Sequence, residues 1–119
     1  MATITPTRDS HFPGGVVFKW ETVTEADTCA GAAIPSMGVG SVSATGTWGS
    51  ATMVMQGSID GGTTWVALKD LDGTAISITA NGGATVSAPF LLVRPSFSGG
   101  TGQDVDVLLA IAEQPKRYY

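Results

Sequence analysis

The chain has 119 residues, 43% of them hydrophobic and only 13% charged, with a net charge of −4 at pH 7. That length suits one domain around a single core, and the six basic residues (Arg8, Lys19, Lys69, Arg94, Lys116, Arg117) are too scattered to form a nucleic-acid-binding stripe. No apolar run reaches the ~20 residues of a membrane span, and the opening MATITPTRDS lacks the charged and apolar regions of a signal peptide, so synthesis in the cytosol without export is expected. Strong helix formers are sparse and Gly, Thr, Ser, Ala and Val are dense, which predicts an all-β protein. Charged residues are depleted at interface cores, so a surface this poor in charge predicts an oligomer.

Residues 1–15 carry Pro6, Pro13, Gly14 and Gly15 without sustained alternation. They read as an arm without secondary structure, either frayed or ordered against a neighbouring subunit with Phe12 as its apolar anchor. A β-sandwich domain then spans residues 16–113. Residues 16–23, VVFKWETV, form a strand with Val16, Phe18 and Trp20 on one face. A loop at 25–27 precedes a short strand over 29–33, since Gly31 and Pro35 oppose a helix there, and residues 36–40 read as loop. The stretch 41–70 predicts three strands in succession. Val42, Ala44 and Gly46 share one face, Ala51, Met53 and Met55 the next, and a turn, SIDGGTT, leads into a short strand from Trp65. Gly73 can take positive φ in a turn at 70–73, after which Thr74, Ile76 and Ile78 share a face. Asn81-Gly82-Gly83 signals a turn, 85–88 a short strand, and 90–94 an apolar strand stopped by Pro95. Val105, Val107, Leu109 and Ile111 alternate along the last strand, whose other face passes from Asp104 and Asp106 to Leu108 and Ala110. Residues 114–119 form a tail. Short strands at this spacing predict an antiparallel β-sandwich with jelly-roll or related topology and extended terminal arms.

Ser58, Asp60, Gly62, Thr64 and Trp65 fit the pattern S-x-D-x-G-x-T-W, which resembles the Asp-box of sialidases and related propellers. Its physics is local: the carboxylate accepts backbone N–H groups further along the turn, Gly supplies positive φ, and Trp closes the loop. One copy in a short chain makes it a structural turn rather than a sign of a repeat enzyme.

Elsewhere the residue types needed for chemistry are thinly supplied. His11 is the single base for any nucleophilic pair and lies in the arm, where nothing preorganises it. Cys29 has no disulfide partner within the chain and reads as a small core residue. The acids at 60, 70, 72, 104 and 106 could form a calcium site or a glycosidase pair, but turn-forming Asp is the stronger reading, and no cofactor or metal is expected. Trp20 and Trp65 suit a core, whereas Trp48, at a strand end before Gly49, is the exposed candidate for partner contact or for stacking on a glycan.

The order of the pieces over residues 20–112 resembles small tailed-phage virion proteins that decorate or cement the capsid. The pieces are SVSATGTWG at 41–49, MQGSIDGGTTW at 55–65, DGTA at 72–75 and VRPSFSGGTG at 93–102. The resemblance implies a non-enzymatic β-sandwich that assembles, often as trimers, on the outer surface of an icosahedral shell. There it would bind the major capsid protein and clamp neighbouring capsomers. A phage tail or baseplate sandwich and a carbohydrate-binding module are the alternatives. Arg8, Phe12, Arg117, Tyr118 and Tyr119 of the two ends, with Trp48, are the candidate partner-binding residues, because Tyr and Arg are enriched at interface hot spots.

Overall fold

The computed structural model describes residues 3–9, 15–34, 38–88 and 90–112. Its strands are β1 (Thr3–Ile4), β2 (Thr7–Asp9), β3 (Gly15–Val23), β4 (Thr28–Cys29), β5 (Ala32–Ala33) and β6 (Gly38–Thr47). They are followed by β7 (Thr52–Ser58), β8 (Val66–Ala67), β9 (Gly82–Ala88), β10 (Leu92–Ser98) and β11 (Asp104–Ala112). A five-stranded sheet runs β2-β3-β11-β6-β9, a four-stranded sheet runs β5-β10-β7-β8, and β1 pairs with β4 apart from both. Without β1, β2 and β4, the remaining eight strands lie first-eighth-third-sixth in one sheet and second-seventh-fourth-fifth in the other. That interleaving is the double Greek key of a jelly roll. Among the described residues, no helix is long and apolar enough to cross a membrane.

Alternation builds the core between the sheets. Val105, Val107, Leu109 and Ile111 of β11 face Met53 and Met55 of β7 and Val93 of β10, with Val42 and Ala44 of β6 and Val86 of β9 beside them, all buried. Burying each Val, Leu, Ile or Met side chain of this set stabilises the fold by about 1.5–3 kcal/mol. Trp20 is fully buried, and its Nε1–H donates to the Ala30 carbonyl at 2.9 Å. One bulge changes the parity of β3: Trp20 pairs with Val107 but Val23 with Val105, so an extra residue enters β3. Thr22 absorbs it with φ +53, and its N–H donates to Asp106 Oδ1 at 2.8 Å. The inward set is therefore Val16, Phe18, Trp20 and then Val23.

Several sequence expectations change. The described part of the N-terminal arm contains β1 and β2, and β2 pairs antiparallel with β3 through Arg8↔Phe18 of its own chain. The strand expected over 29–33 is split, because β4 pairs with β1 and β5 with β10. Between them a Cβ on Gly31 would lie 2.7 Å from the Trp65 ring, so the chain crosses there under an aromatic side chain. β10 runs through Pro95 instead of ending at it. Pro95 pairs with Met55 of β7, and β5 stops opposite Val93, so the far edge of β10 has no strand ladder at the proline that would need its missing N–H. Residues 74–78 form bridges, Lys69↔Ala75 and Met53↔Ile78, instead of a strand, although Ile76 and Ile78 are buried as the alternation expects. Gly82 and Gly83 belong to β9, where a Cβ at Gly83 would approach the Val42 carbonyl to 2.6 Å.

Candidate functional site

The expected turn between β7 and β8 is present. Asp60 Oδ1 accepts from the Thr63 N–H at 3.1 Å, the Thr64 N–H at 2.9 Å and the Ser58 hydroxyl at 2.8 Å. Ser58 Oγ accepts in turn from the Gly62 N–H at 3.0 Å. The Thr64 N–H, the Ser58 hydroxyl and the Thr63 N–H hold the Asp60 carboxyl down at about 2. Gly61 and Gly62 take φ of +78° and +95°, and Trp65 Nε1 donates to the Gly62 carbonyl at 2.9 Å. The Arg94 guanidinium stacks on the Trp65 ring, 4.0 Å from its centroid, while Arg94 Nε donates to Gln56 Oε1 at 2.9 Å. The turn is thereby bolted to β10 through a cation–π contact.

The same device recurs at other loops. Glu25 accepts from the N–H groups of Gly102 and Gln103 at 3.1 and 3.0 Å. Its own backbone N–H and these two hold its carboxyl below the ordinary value. Asp27 Oδ2 accepts from the Thr24 N–H and hydroxyl, and Asp70 Oδ1 from the N–H groups of Asp72 and Thr74, all at 2.9 Å. With Asp60, and with Asp106 at the β3 bulge, five carboxylates each hold backbone in place. The acids that composition offered for metal or glycosidic chemistry include Asp60, Asp70 and Asp106 of this set. Among the described residues no group of three or more His, Cys, Asp and Glu is placed to hold a metal ion.

Trp48 is a correction. It is only 9% exposed, its ring lies 5.9 Å from that of Phe97, and its Nε1–H donates to Asn81 Oδ1 at 2.9 Å. The same Asn81 oxygen accepts the Gly46 N–H, so one amide ties the end of β6 to the start of β9. A ring held in this way offers no open face for a sugar. Cys29 is buried as expected, and burial pushes its thiol up to about 12. Arg8 is exposed on β2 with its guanidinium 6.0 Å from the Phe18 ring centroid. Phe12, Arg117, Tyr118 and Tyr119, like His11 and the tail over 114–119, lie outside the described residues.

The structure also exposes a surface that the sequence pattern did not single out. Ile59 is 65% exposed, Val66 44% and Leu91 53%, and all three lie around the Asp60 turn and the half-buried Phe90. Gly57, Ser58, Ile59, Asp60, Thr64, Val66 and Phe90 line a groove of about 330 Å³. Phe90 also lines a second hollow of about 240 Å³, together with Ala67, Leu68, Lys69 and Ser87. Ile59 had a sequence signal: placed between Ser58 and Asp60, whose side chains both turn into the loop, it has no inward position to take.

These features define an all-β jelly roll with carboxylate-held loops and an apolar surface at one end. No family model, curated protein or solved structure matches the chain.

Proposed function

We propose that the protein is a non-enzymatic structural component of a tailed-phage virion, attached to the outside of the capsid as a decoration or cement protein. The observation that carries this reading is the use of the carboxylates. Glu25, Asp27, Asp60, Asp70 and Asp106 bind backbone N–H groups and so make a rigid, preorganised body. Rigid loops suit a clamp, because little ordering entropy is lost when they dock. The jelly roll is a fold that viral capsid domains also use, which supports the reading by analogy. A protein that binds only the assembled shell stabilises it by RT ln(1 + [L]/Kd) per site, so modest affinities sum over many sites.

Attachment is assigned to the two ends, where Arg8, Phe12, Arg117, Tyr118 and Tyr119 supply the residue types of interface hot spots. Trp48 leaves the set, since its ring and its N–H are both engaged inside the fold. Because β2 covers the edge of β3, the informative truncation is at the C-terminal end. Removing residues 114–119 is expected to leave the melting temperature nearly unchanged while weakening binding to expanded capsids by about 2 kcal/mol or more, the hot-spot threshold. Co-sedimentation with capsids that lack the protein measures this. Imaging that placed the protein on the tail would replace the capsid reading with the tail or baseplate one.

A further inference from the structure

The two hollows share Phe90 in their linings and so read as one groove beside the edge strand β8. Their shared wall is the Phe90 ring, which lies against Gly57 and Leu68: a Cβ built on Gly57 would meet the ring at 2.6 Å. β8 is the edge strand of the four-stranded sheet, with Val66 and Ala67 both exposed, and β9 is the edge strand of the other sheet. The two edges meet where the Ser87 N–H donates to the Lys69 carbonyl at 2.9 Å. The groove is apolar along its middle, through Val66 and Phe90, and oppositely charged at its two ends. Asp60 stands at one end and exposed Lys69 at the other.

A surface with a carboxylate at one end, an ammonium at the other and apolar side chains between is complementary to itself once turned end for end. We infer that two copies of this chain pack groove to groove about a two-fold axis beside Phe90 and Ala67, with Lys69 of each copy facing the Asp60 end of the other. Such an isologous contact covers Val66, Ile59 and the exposed side of Phe90 on both copies at once. It also pairs unlike charges at both rims, which fixes the register of the two bodies. Asp60 is exposed, so its carboxylate stays open to the second copy while it holds the turn through Ser58, Thr63 and Thr64. Self-pairing here does not depend on what else the protein binds.

Sedimentation velocity on the full chain tests the contact, with circular dichroism to check each variant's fold. The wild type is expected to sediment as a dimer at concentrations up to about 0.1 mM, and Lys69→Glu, at an exposed position, to raise the dimer dissociation constant about tenfold or more, equivalent to about 1.4 kcal/mol. Val66→Asp should raise it further. Ala67→Cys should link into disulfide-bonded pairs under mild oxidation, while Thr101→Cys, at the opposite end of the sandwich, should not. The buried Cys29 keeps the background low. A wild type that stays monomeric throughout, a dimer indifferent to Lys69→Glu, or an Ala67→Cys variant that links no faster than Thr101→Cys would each overturn the inference.

Discussion

Two tryptophans close two turns in this molecule by opposite means. Trp65 Nε1 donates to the Gly62 carbonyl three residues before it, inside a turn whose other bonds come from Ser58 and Asp60. Trp48 Nε1 donates at the same 2.9 Å to Asn81, 33 residues further on, and the same oxygen takes the Gly46 N–H. The first turn is complete within eight residues and leaves its apolar neighbours Ile59 and Val66 facing solvent. At the second, the turn itself closes locally, the Ala51 N–H donating to the Trp48 carbonyl at 2.9 Å, but the indole's tie to Asn81 exists only when β6 and β9 are already side by side, and the ring ends buried against Phe97. A turn that stabilises itself can carry an exposed binding surface without unfolding. An indole engaged by remote partners contributes to the fold and has little left to offer a ligand.

The largest effect should come from breaking the remote turn. Trp48→Ala removes a nearly buried indole and opens a cavity beside Phe97, at a cost of about 3–5 kcal/mol measured by denaturant unfolding. Asn81→Ala should cost about 1–2 kcal/mol, since it leaves the Gly46 N–H and the Trp48 Nε1–H without their acceptor. A double-mutant cycle sharpens the contrast. Positions 48 and 81 should couple, whereas positions 65 and 81, with no shared partner, should add independently. Coupling between 65 and 81 of the same size would show that the two turns are not separate units.

The difference between the turns also explains what could be read from the residues. Alternation over 104–112 and 52–58 exposed the core strands because one side of each sheet is buried and period two leaves no other register. The Asp60 turn was legible because every one of its donors and acceptors is within seven residues. What depended on distant chain was not. Asn81-Gly82-Gly83 looks like a turn, yet the glycines belong to β9 and Asn81 serves Trp48. Pro95 looks like a stop, but a proline is harmless where the neighbouring strand has already ended. The Thr22 bulge is invisible in VVFKWETV, since only the pairing to β11 and the carboxylate of Asp106 call for it. Gly49 after Trp48 suggests an exposed strand end. That glycine instead lets the backbone pass close to Thr101, whose N–H donates to the Gly49 carbonyl at 2.9 Å.

The smallest expected effect belongs to the local turn, and pH isolates it. The Asp60 carboxyl titrates at about 2 in the folded chain against an ordinary 3.8, chiefly because the Thr64 N–H and the Ser58 hydroxyl bind its charged form. A depressed folded value means that the turn's contribution is fully present above the ordinary value and is lost as the pH falls from there through about 2. Glu25, shifted in the same direction by backbone N–H groups, adds to the same acid-side slope. Wild-type stability should therefore decline as the pH is lowered from about 5 to about 2. Asp60→Ala should lower the unfolding midpoint at pH 7 by less than Asn81→Ala does, because the site is exposed and only one hairpin loses its latch. The variant's stability should also fall less steeply with acid, while the Glu25 part of the slope remains. Unfolding midpoints measured for both chains at pH 7, 5, 4, 3 and 2 check this, and parallel curves would mean that Asp60 does not couple protonation to the fold.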